Sequence, residues 1–354
     1  MVDTIKAISL FSGMGGDSLG ITNAGCDLIA YSEIMKIFQE THNLNYDSEL
    51  IGDGNITKTS DEELSKYNGL VNLIFAGFPC QGFSQAGKKL PDDPRNTLFR
   101  EFLRATRLIN PDYIIGENVK GLVNRVTSDG KKYMDVIQGE FESIGYDITH
   151  KVMKANLYGV SQKRERLIIV GIKKSLNKSY IFPEPIEGVD VGLRNIVEFD
   201  MEGTIKIEKD DYDMTTIPKE CILTNMENEE DENGPHPNLK LLAKDKDFVY
   251  KDITYPRRLS FGKRASGVHG EIIDIRNPCK TIICSYGRVP RLFVPLQNKK
   301  GYYLRMLLPY ELKQIQGFPK DYKMSGNKTQ QITQIGNAVP PPLIQIIINK
   351  LLEI

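Results

Sequence analysis

The chain has 354 residues, 40% of them hydrophobic and 26% charged, with zero formal net charge. That is an ordinary globular composition for one large domain or two unequal ones; no run approaches the ~18 consecutive apolar residues of a membrane span, and the start of the chain lacks the charged segment and apolar stretch of a secretory signal. The five cysteines, Cys26, Cys80, Cys221, Cys279 and Cys284, are scattered and odd in number, which suits a reducing cytoplasm better than a disulfide framework.

The first predicted strand runs from Ile5 to Phe11 and ends in the glycine-rich turn Phe11-Ser12-Gly13-Met14-Gly15-Gly16. Glycines there let the backbone approach a ligand closely. A dinucleotide fingerprint would need glycines at 13, 15 and 18, but position 18 is serine, so the loop fits an adenosine-type cofactor without a pyrophosphate better than NAD. Taken alone, a tight structural turn explains it equally well. Cys26 to Glu33 reads as a second strand ending in an acid, where α/β nucleotide sites place a carboxylate for ribose hydroxyls.

The apolar strand Val71 to Ala76 stops at Gly77, and Phe78-Pro79-Cys80 follows. Open α/β sheets bind their ligands at the carboxyl ends of strands, so Cys80 is well placed for a nucleophile, although most cysteines are small buried hydrophobes. Ser84 to Thr97 is polar and carries Lys88, Lys89 and Arg95. Thr97 to Ile109 is predicted as a helix with Leu98, Phe99, Phe102, Leu103, Thr106 and Ile109 on one face. The strand Asp112 to Asn118 brings Glu117 to the same rim as Cys80. A carboxylate beside an apolar strand can share a proton with a heterocycle; a helix cap or a surface acid is the competing reading. Lys131 to Ile144 is predicted as a helix closing at Gly145. Gln162-Lys163-Arg164-Glu165-Arg166 precedes the strand Leu167 to Ile172. In an extended segment Arg164 and Arg166 share a face, which suits carbonyl or phosphate recognition, although for this run alone an exposed salt-bridged edge is the better reading.

This alternation predicts an α/β fold with a doubly wound, mainly parallel, Rossmann-like sheet. Beyond about Lys178 prolines, glycines and charges become frequent and periodicity is poor to about Lys300, which predicts a smaller, irregular domain. Residues 172–232 hold 7 Lys/Arg and 16 Asp/Glu, net −9, whereas residues 233–300 hold 14 and 5, net +9. A basic block under a neutral total is expected of a localised polyanion-binding face. Pro340 to Leu352 begins with prolines suited to a helix start and continues apolar enough to pack back on the first domain.

The motifs together resemble the C5-cytosine DNA methyltransferases, over nearly the whole chain and in that family's order. Phe11 to Gly16 resembles its cofactor loop, Glu33 and Asp53 its two cofactor-binding acids, Gly77-Phe78-Pro79-Cys80-Gln81 its nucleophile motif, and Glu117-Asn118-Val119 its acid motif. Gln162 to Arg166 matches its arginine motif, Arg305 to Glu311 with Gln316-Gly317-Phe318-Pro319 the segment supporting target recognition, and Gly336-Asn337-Ala338-Val339-Pro340-Pro341 its C-terminal motif. Three departures stand out: Ser9 where the family commonly has an acid, Asp17 where a large apolar residue is frequent, and a slightly longer segment around Asp53.

The resemblance implies a smaller target-recognition domain beside the methyltransferase sheet, with residues 1–177 and 326–354 catalytic. Within target-recognition residues 178–325 the charge pattern separates acidic 178–232 from basic, DNA-reading 233–300, and the resemblance adds a supporting segment 301–325. The resemblance also implies S-adenosyl-L-methionine as methyl donor, leaving as S-adenosyl-L-homocysteine, bound by Phe11, Gly13, Gly15, Glu33, Asp53, Pro79, Leu98, Asn337 and Ala338, with no metal. Cys80 would add to C6 of a flipped cytosine, Glu117 would hold N3 and the exocyclic amine, and Arg164 and Arg166 would contact the cytosine carbonyl and order the nucleophile loop. Ser84, Lys88, Lys89 and Arg95 would close over double-stranded DNA, and Arg257, Arg258, Lys263, Arg264, Arg288 and Arg291 would meet bases or phosphates. The resulting expectation is a cytoplasmic monomer of the bacterial restriction–modification kind, with a restriction endonuclease acting on the same site without a stable complex.

Three alternatives compete. The family's tRNA-methylating branch shares the catalytic motifs but has a short recognition region, whereas about 130 residues separate Ile172 from Arg305 here. A zinc deaminase needs His-x-Glu and Pro-Cys-x-x-Cys; His269-Gly270-Glu271 supplies the first, but Cys279 and Cys284 are too far apart for the second. A non-catalytic DNA-binding protein would have no need of Cys80, Glu117 and both arginines.

Overall fold

The computed structural model describes residues 4–79, 98–127, 130–244, 247–250, 253–256, 258–264 and 266–354. They fall into two compact units, one of Met1–Val189, Gln316–Gly326 and Asn337–Ile354, the other of Asp190–Ile315 and Asn327–Gly336.

Among the described residues, eight strands belong to the first unit: β1 Lys6–Leu10, β2 Asp27–Ser32, β3 Glu49–Leu50, β4 Leu73–Ala76, β5 Tyr113–Val119, β6 Tyr146–Lys154, the two-residue β7 Gln162–Lys163, and β8 Glu165–Lys173. All but β7 form one sheet in the order β3-β2-β1-β4-β5-β8-β6. The pairings from β3 through β5 are parallel, and β8 runs antiparallel to both β5 and β6. Strand order reverses between β1 and β4, the switch point at whose carboxyl side open α/β sheets hold their ligands.

Both faces of the sheet are covered, so its central strands are apolar throughout rather than alternating. In β4, Ile74 and Ala76 join the core layer containing Phe102, Ile109, Ile137 and Phe141, which come from the helices Phe99–Ile109 and Tyr133–Ser143. Leu73 and Phe75 face the opposite layer, with Ile21, Leu343, Ile344 and Ile347 from the helices Gly16–Asn23 and Pro341–Leu352. The C-terminal helix therefore packs on the first unit, as its apolar run predicts. The unpredicted strands are the two-residue β3 and β7 and the long β6, an edge strand whose exposed Asp147, Thr149 and His150 break the apolar run that marks its neighbours.

The first unit extends past residue 177 to Val189 because that segment is anchored in its core. Tyr180 and Phe182 join the C-terminal helix layer, the Tyr180 hydroxyl donates to the Ile347 carbonyl (3.1 Å), and the Tyr158 hydroxyl donates to Pro183 O (3.0 Å). Residues 316–326 belong there too, because Tyr322 donates to Met14 O and Gln316 to Ala338 O. Residues 327–336 go to the second unit, where Gly336 lies so close to the Ile283–Cys284 backbone that a Cβ would come within 2.3 Å of the Cys284 nitrogen.

The second unit is less irregular than its sequence. Its strands are β9 Ile205–Ile207, β10 Leu223–Asn225, β11 Asp247–Tyr250, β12 Ile253–Pro256, β13 Leu259–Phe261, β14 Gly270–Ile272, β15 Cys279–Lys280, β16 Leu292–Asn298 and β17 Gly301–Met306. A six-stranded sheet follows the order β13-β14-β16-β17-β9, with β10 also paired to β16. Many of these strands are too short for a period of two to show in sequence. The Arg305 guanidinium of β17 forms a bidentate pair with Glu311 (2.8 and 2.7 Å), both side chains fully buried. Arg305 also donates to the Glu198 and Asp200 carbonyls (2.6 and 3.0 Å), and Glu311 accepts from the amides of Glu198 and Leu308 (3.1 and 2.9 Å).

Candidate active site

The parallel strands β2, β1, β4 and β5 all end at one rim of the first unit's sheet. After β1 the chain enters the glycine turn, where the Gly13 amide donates to one oxygen of Glu33 (2.9 Å) while the other accepts from the Met35 amide (2.8 Å). Glu33 is only 8% exposed. Burial raises its carboxyl pKa, and the amides of Met35, Gly13 and Ile34 oppose the rise by stabilising the anion. The next residues, Ile34 and Met35, stand 62% and 53% exposed, an apolar surface beside the acid that sequence reasoning missed.

Gly15 adopts the left-handed conformation (φ 91°) at the start of the helix Gly16–Asn23, and a Cβ there would sit 2.7 Å from the Tyr46 ring and 2.8 Å from the Tyr322 hydroxyl. At Gly16 a Cβ would come within 2.2 Å of Val339 O. The glycines therefore serve both the turn and the close approach of the C-terminal motif. Ala338 is buried, its carbonyl held by Gln316, whose side-chain oxygen accepts from Gln162; Asn337 is exposed.

Asp53 is brought near Glu33 by its backbone. Gln39 Nε2 donates to both Glu33 O (2.5 Å) and Asp53 O (3.5 Å). The Asp53 carboxylate is exposed, accepts from the Asn55 amide (2.9 Å) and lies 4.0 Å from Lys58. Pro79 and Leu98 are partly buried, Leu98 as the residue preceding the helix Phe99–Ile109.

At the end of β5, Glu117 is 8% exposed and its carboxylate lies 2.7 Å from Arg166 Nε. Glu117 is opposite Ile168 and Arg166 opposite Val119, so the pair is diagonal across two antiparallel strands and shares a face. Burial lowers the Arg166 pKa, with Glu117 opposing it. Arg166 also donates from Nη1 to Glu165 O (2.8 Å). Arg164 is 2% exposed, precedes β8, and accepts at its carbonyl from Ala155 N (2.8 Å). Asn118, quoted in the acid motif but given no role there, donates from its amide to Phe78 O (2.9 Å). The acid-bearing strand thus grips the segment that leads into Pro79. Cys80, Ser84, Lys88, Lys89, Arg95 and Arg257 lie outside the described residues.

Beneath the glycine turn lies a buried polar group that sequence reasoning left unconnected. The Ser9 hydroxyl donates to Asp17, so two positions that depart from the family pattern are bonded to each other. Ser12 and Ser18 hydroxyls lie 3.0 Å apart, and Ser18 Oγ is 2.9 Å from His42 Nε2. Burial pushes the His42 imidazole down to about 3, and it stacks on Tyr31 with centroids 3.7 Å apart. Tyr46 and Tyr322 hydroxyls donate to the carbonyls of Gly15 (3.1 Å) and Met14.

In the second unit, Arg258, His269 and Arg291 immediately precede β13, β14 and β16. Those strands are mutually parallel, Leu259 lying opposite Gly270 and Glu271 opposite Leu292, so the three residues line one end of the sheet. Arg264 and Arg258 lower the Arg291 pKa after burial does. Arg291 donates to Val268 O, while Lys263 and Arg288 are exposed. His269 lies 2.8 Å from Ser266 Oγ, and Glu271 is paired with Lys280 at 2.6 Å.

Residues 5–353 match the family described as C-5 cytosine-specific DNA methylase. The chain is 30% identical over 358 residues to Type II methyltransferase M1.HphI of Haemophilus parahaemolyticus, spanning 99% of this chain and 87% of that protein. It is 31% identical over 353 residues to Type II methyltransferase M.FnuDI of Fusobacterium nucleatum, spanning 99% and 94%. Among solved structures, a Spodoptera frugiperda DNMT2 mutant superposes with a TM-score of 0.67 at 18% identity, covering 99% of this chain and 100% of that one. S. pombe Dnmt2 gives 0.65 at 16% identity with 99% of each covered; at such identities the likeness is one of fold.

Proposed function

The chain belongs to the C-5 cytosine-specific DNA methylases, and from that premise we propose how its residues methylate C5 of a cytosine flipped out of a specific duplex DNA sequence. The observation that carries the reading is the join between two motifs: Asn118 holds Phe78 O at 2.9 Å while its neighbour Glu117 is held by Arg166 at 2.7 Å. A base-binding acid and the stem of the nucleophile segment are thereby fixed to one another.

The residues at the switch point fit an S-adenosyl-L-methionine-type donor. Glu33 is positioned for ribose hydroxyls, exposed Ile34 and Met35 offer an apolar surface to a purine, and the open space beside Gly13 leaves the backbone of the turn accessible to a ligand. Phe11, Gly13, Gly15, Pro79, Leu98, Asn337 and Ala338 complete the donor site, with the Asp53 loop beside Glu33. When bound, the donor supplies an electrophilic methyl group and leaves as S-adenosyl-L-homocysteine.

Cytosine C5 is a weak nucleophile. A bond from the Cys80 sulfur to C6 turns the ring into an enamine, and Glu117 hydrogen-bonds at N3 and the exocyclic amine as negative charge enters the ring. Arg166 keeps Glu117 oriented, and Arg164 orders the nucleophile segment. The enamine C5 takes up the methyl group, and loss of the C5 proton to water then expels the Cys80 thiolate and leaves 5-methylcytosine. Flipping the base costs a few kcal/mol, which Ser84, Lys88, Lys89 and Arg95 offset by contacts to the duplex.

DNA reading is assigned to the second unit, where Arg258, Lys263, Arg264, Arg288 and Arg291, together with Arg257, supply cations suited to guanine edges and phosphates. A monomeric cytoplasmic enzyme serving a restriction–modification system, with an endonuclease acting on the same site without a stable complex, completes the reading; the Type II relatives support its restriction–modification part.

Bisulfite sequencing of a plasmid carrying the gene tests substrate, atom and site together. One fixed sequence should be methylated, and labelled methyl transfer should favour duplex DNA over tRNA; a strong preference for tRNA would reverse the assignment. Cys80→Ala should abolish methylation while leaving DNA binding largely intact, and retained turnover would refute the covalent step.

A further inference from the structure

The turn between β1 and the helix Gly16–Asn23 contains Gly13 and Gly15, whose backbones are permissive. Its shape is held in part by its own Met14, fully buried, and Ser12, whose hydroxyl lies 3.0 Å from Ser18 Oγ, and in part from beneath. Tyr46 and Tyr322 hold two of its carbonyls, but the bond from Ser9 to Asp17 spans the entire turn, joining the fourth residue of β1 to the first turn of the helix. Asp17 is 2% exposed and so does not itself offer a surface to a ligand. A side chain required only to fill space there would be better apolar, because burying a carboxyl is costly unless its hydrogen bonds are used.

We propose that Asp17 is a positioning residue for methyl-donor binding, acting through Ser9 to fix the two ends of the glycine turn relative to each other. The proposal rests on the reading that this turn holds the donor. With the staple in place, the Gly13 amide remains on Glu33 and the helix start remains against Val339. Without it the turn must be ordered at the expense of donor affinity, as for any site that is not preorganised.

The test measures S-adenosyl-L-homocysteine binding by calorimetry on the full-length protein, together with methylation kinetics on duplex DNA. Asp17→Ala should weaken S-adenosyl-L-homocysteine binding and raise KM for S-adenosyl-L-methionine by about tenfold, the loss of one buried hydrogen bond. The KM for DNA should be unchanged, and kcat at saturating donor should stay within about twofold. Asp17→Asn, whose side-chain oxygen can accept from Ser9, should restore near-native binding. Ser9→Ala should weaken it from the other side of the bond, and the double variant should lose less than the sum of the two.

Folded Asp17→Ala and Ser9→Ala proteins that bind S-adenosyl-L-homocysteine as the parent does would overturn the proposal, as would a loss confined to kcat or to KM for DNA. Should Asp17→Ala fail to fold, Ser9→Ala decides on the same readouts. Failure of the unaltered protein to bind S-adenosyl-L-homocysteine would instead strike the donor-site reading on which the proposal rests.

Discussion

At the scale of single residues, the site combines groups whose burial and partners pull against each other. Asp17 is the clearest case: burial raises its carboxyl from 3.8 to about 7, and the Ser9 hydrogen bond only partly offsets this. Among the described residues, the nearby titratable groups are Glu117, Tyr46 and Tyr322, with His42 reached through Ser18. The folded protein therefore holds this proton more tightly than the unfolded chain does. The associated stability is fully present below about pH 4 and is lost as pH rises through about 7. Asp17→Asn cannot ionise, so its stability relative to the parent should rise between pH 5 and pH 8 by a few kcal/mol, at about 1.4 kcal/mol per pH unit over the affected range. Urea titrations at the two pH values check this, and a parallel pH dependence of the two proteins would contradict it. Asn118→Ala should lower kcat with little effect on donor affinity, because it frees Phe78 O and loosens the chain leading into Pro79 and Cys80; single-turnover kinetics with saturating donor reports it. Both Asp17 and Asn118 were visible in sequence, the one as a departure and the other as a motif member, but their partners lie 8 and 40 residues away, and no local pattern indicates them.

At the scale of elements, close approach and buried charge decide what can be changed. Gly16→Ala places a methyl group against a backbone carbonyl that cannot rotate away, at 2.2 Å from Val339 O. The helix Gly16–Asn23 or the C-terminal motif must then move, with an expected loss of about 1–3 kcal/mol by the usual cost of overpacking and weaker donor binding, read by thermal melting and calorimetry. In the second unit, Arg305→Ala strands the buried Glu311 carboxylate and should cost about 3–5 kcal/mol, seen as a lower denaturation midpoint for that unit. The strands β1, β2, β4 and β5 were legible because strands covered on both faces read as continuous apolar runs. Edge strand β6 and the three-residue strands of the second unit were not, since their partners, rather than their own periodicity, make them strands.

At the scale of the whole molecule, zero net charge hides a segregation of −9 and +9 along the chain, and the second unit gathers Arg258, His269 and Arg291 at one end of three parallel strands. Arg258→Gln and Arg264→Gln can therefore be separated by what they change. A phosphate contact should lower the salt dependence of DNA binding by about one unit of slope at unaltered specificity, whereas a base contact should relax the methylated sequence at one position. Anisotropy titrations over salt, combined with bisulfite mapping, distinguish these outcomes; no change in either would remove the residue from the DNA-reading set. The amino-acid sequence by itself determined the doubly wound core, the family, and the motifs carrying Glu33, Cys80 and Glu117, because apolar runs and short motifs are local properties. Only tertiary structure decided that Arg166 is the arginine paired with Glu117, that Asn118 grips the stem of the nucleophile segment, and that Ser9 and Asp17 staple the glycine turn. Those are contacts between residues distant in the chain, and they exist only once the sheet and its covering helices have brought the strand ends together.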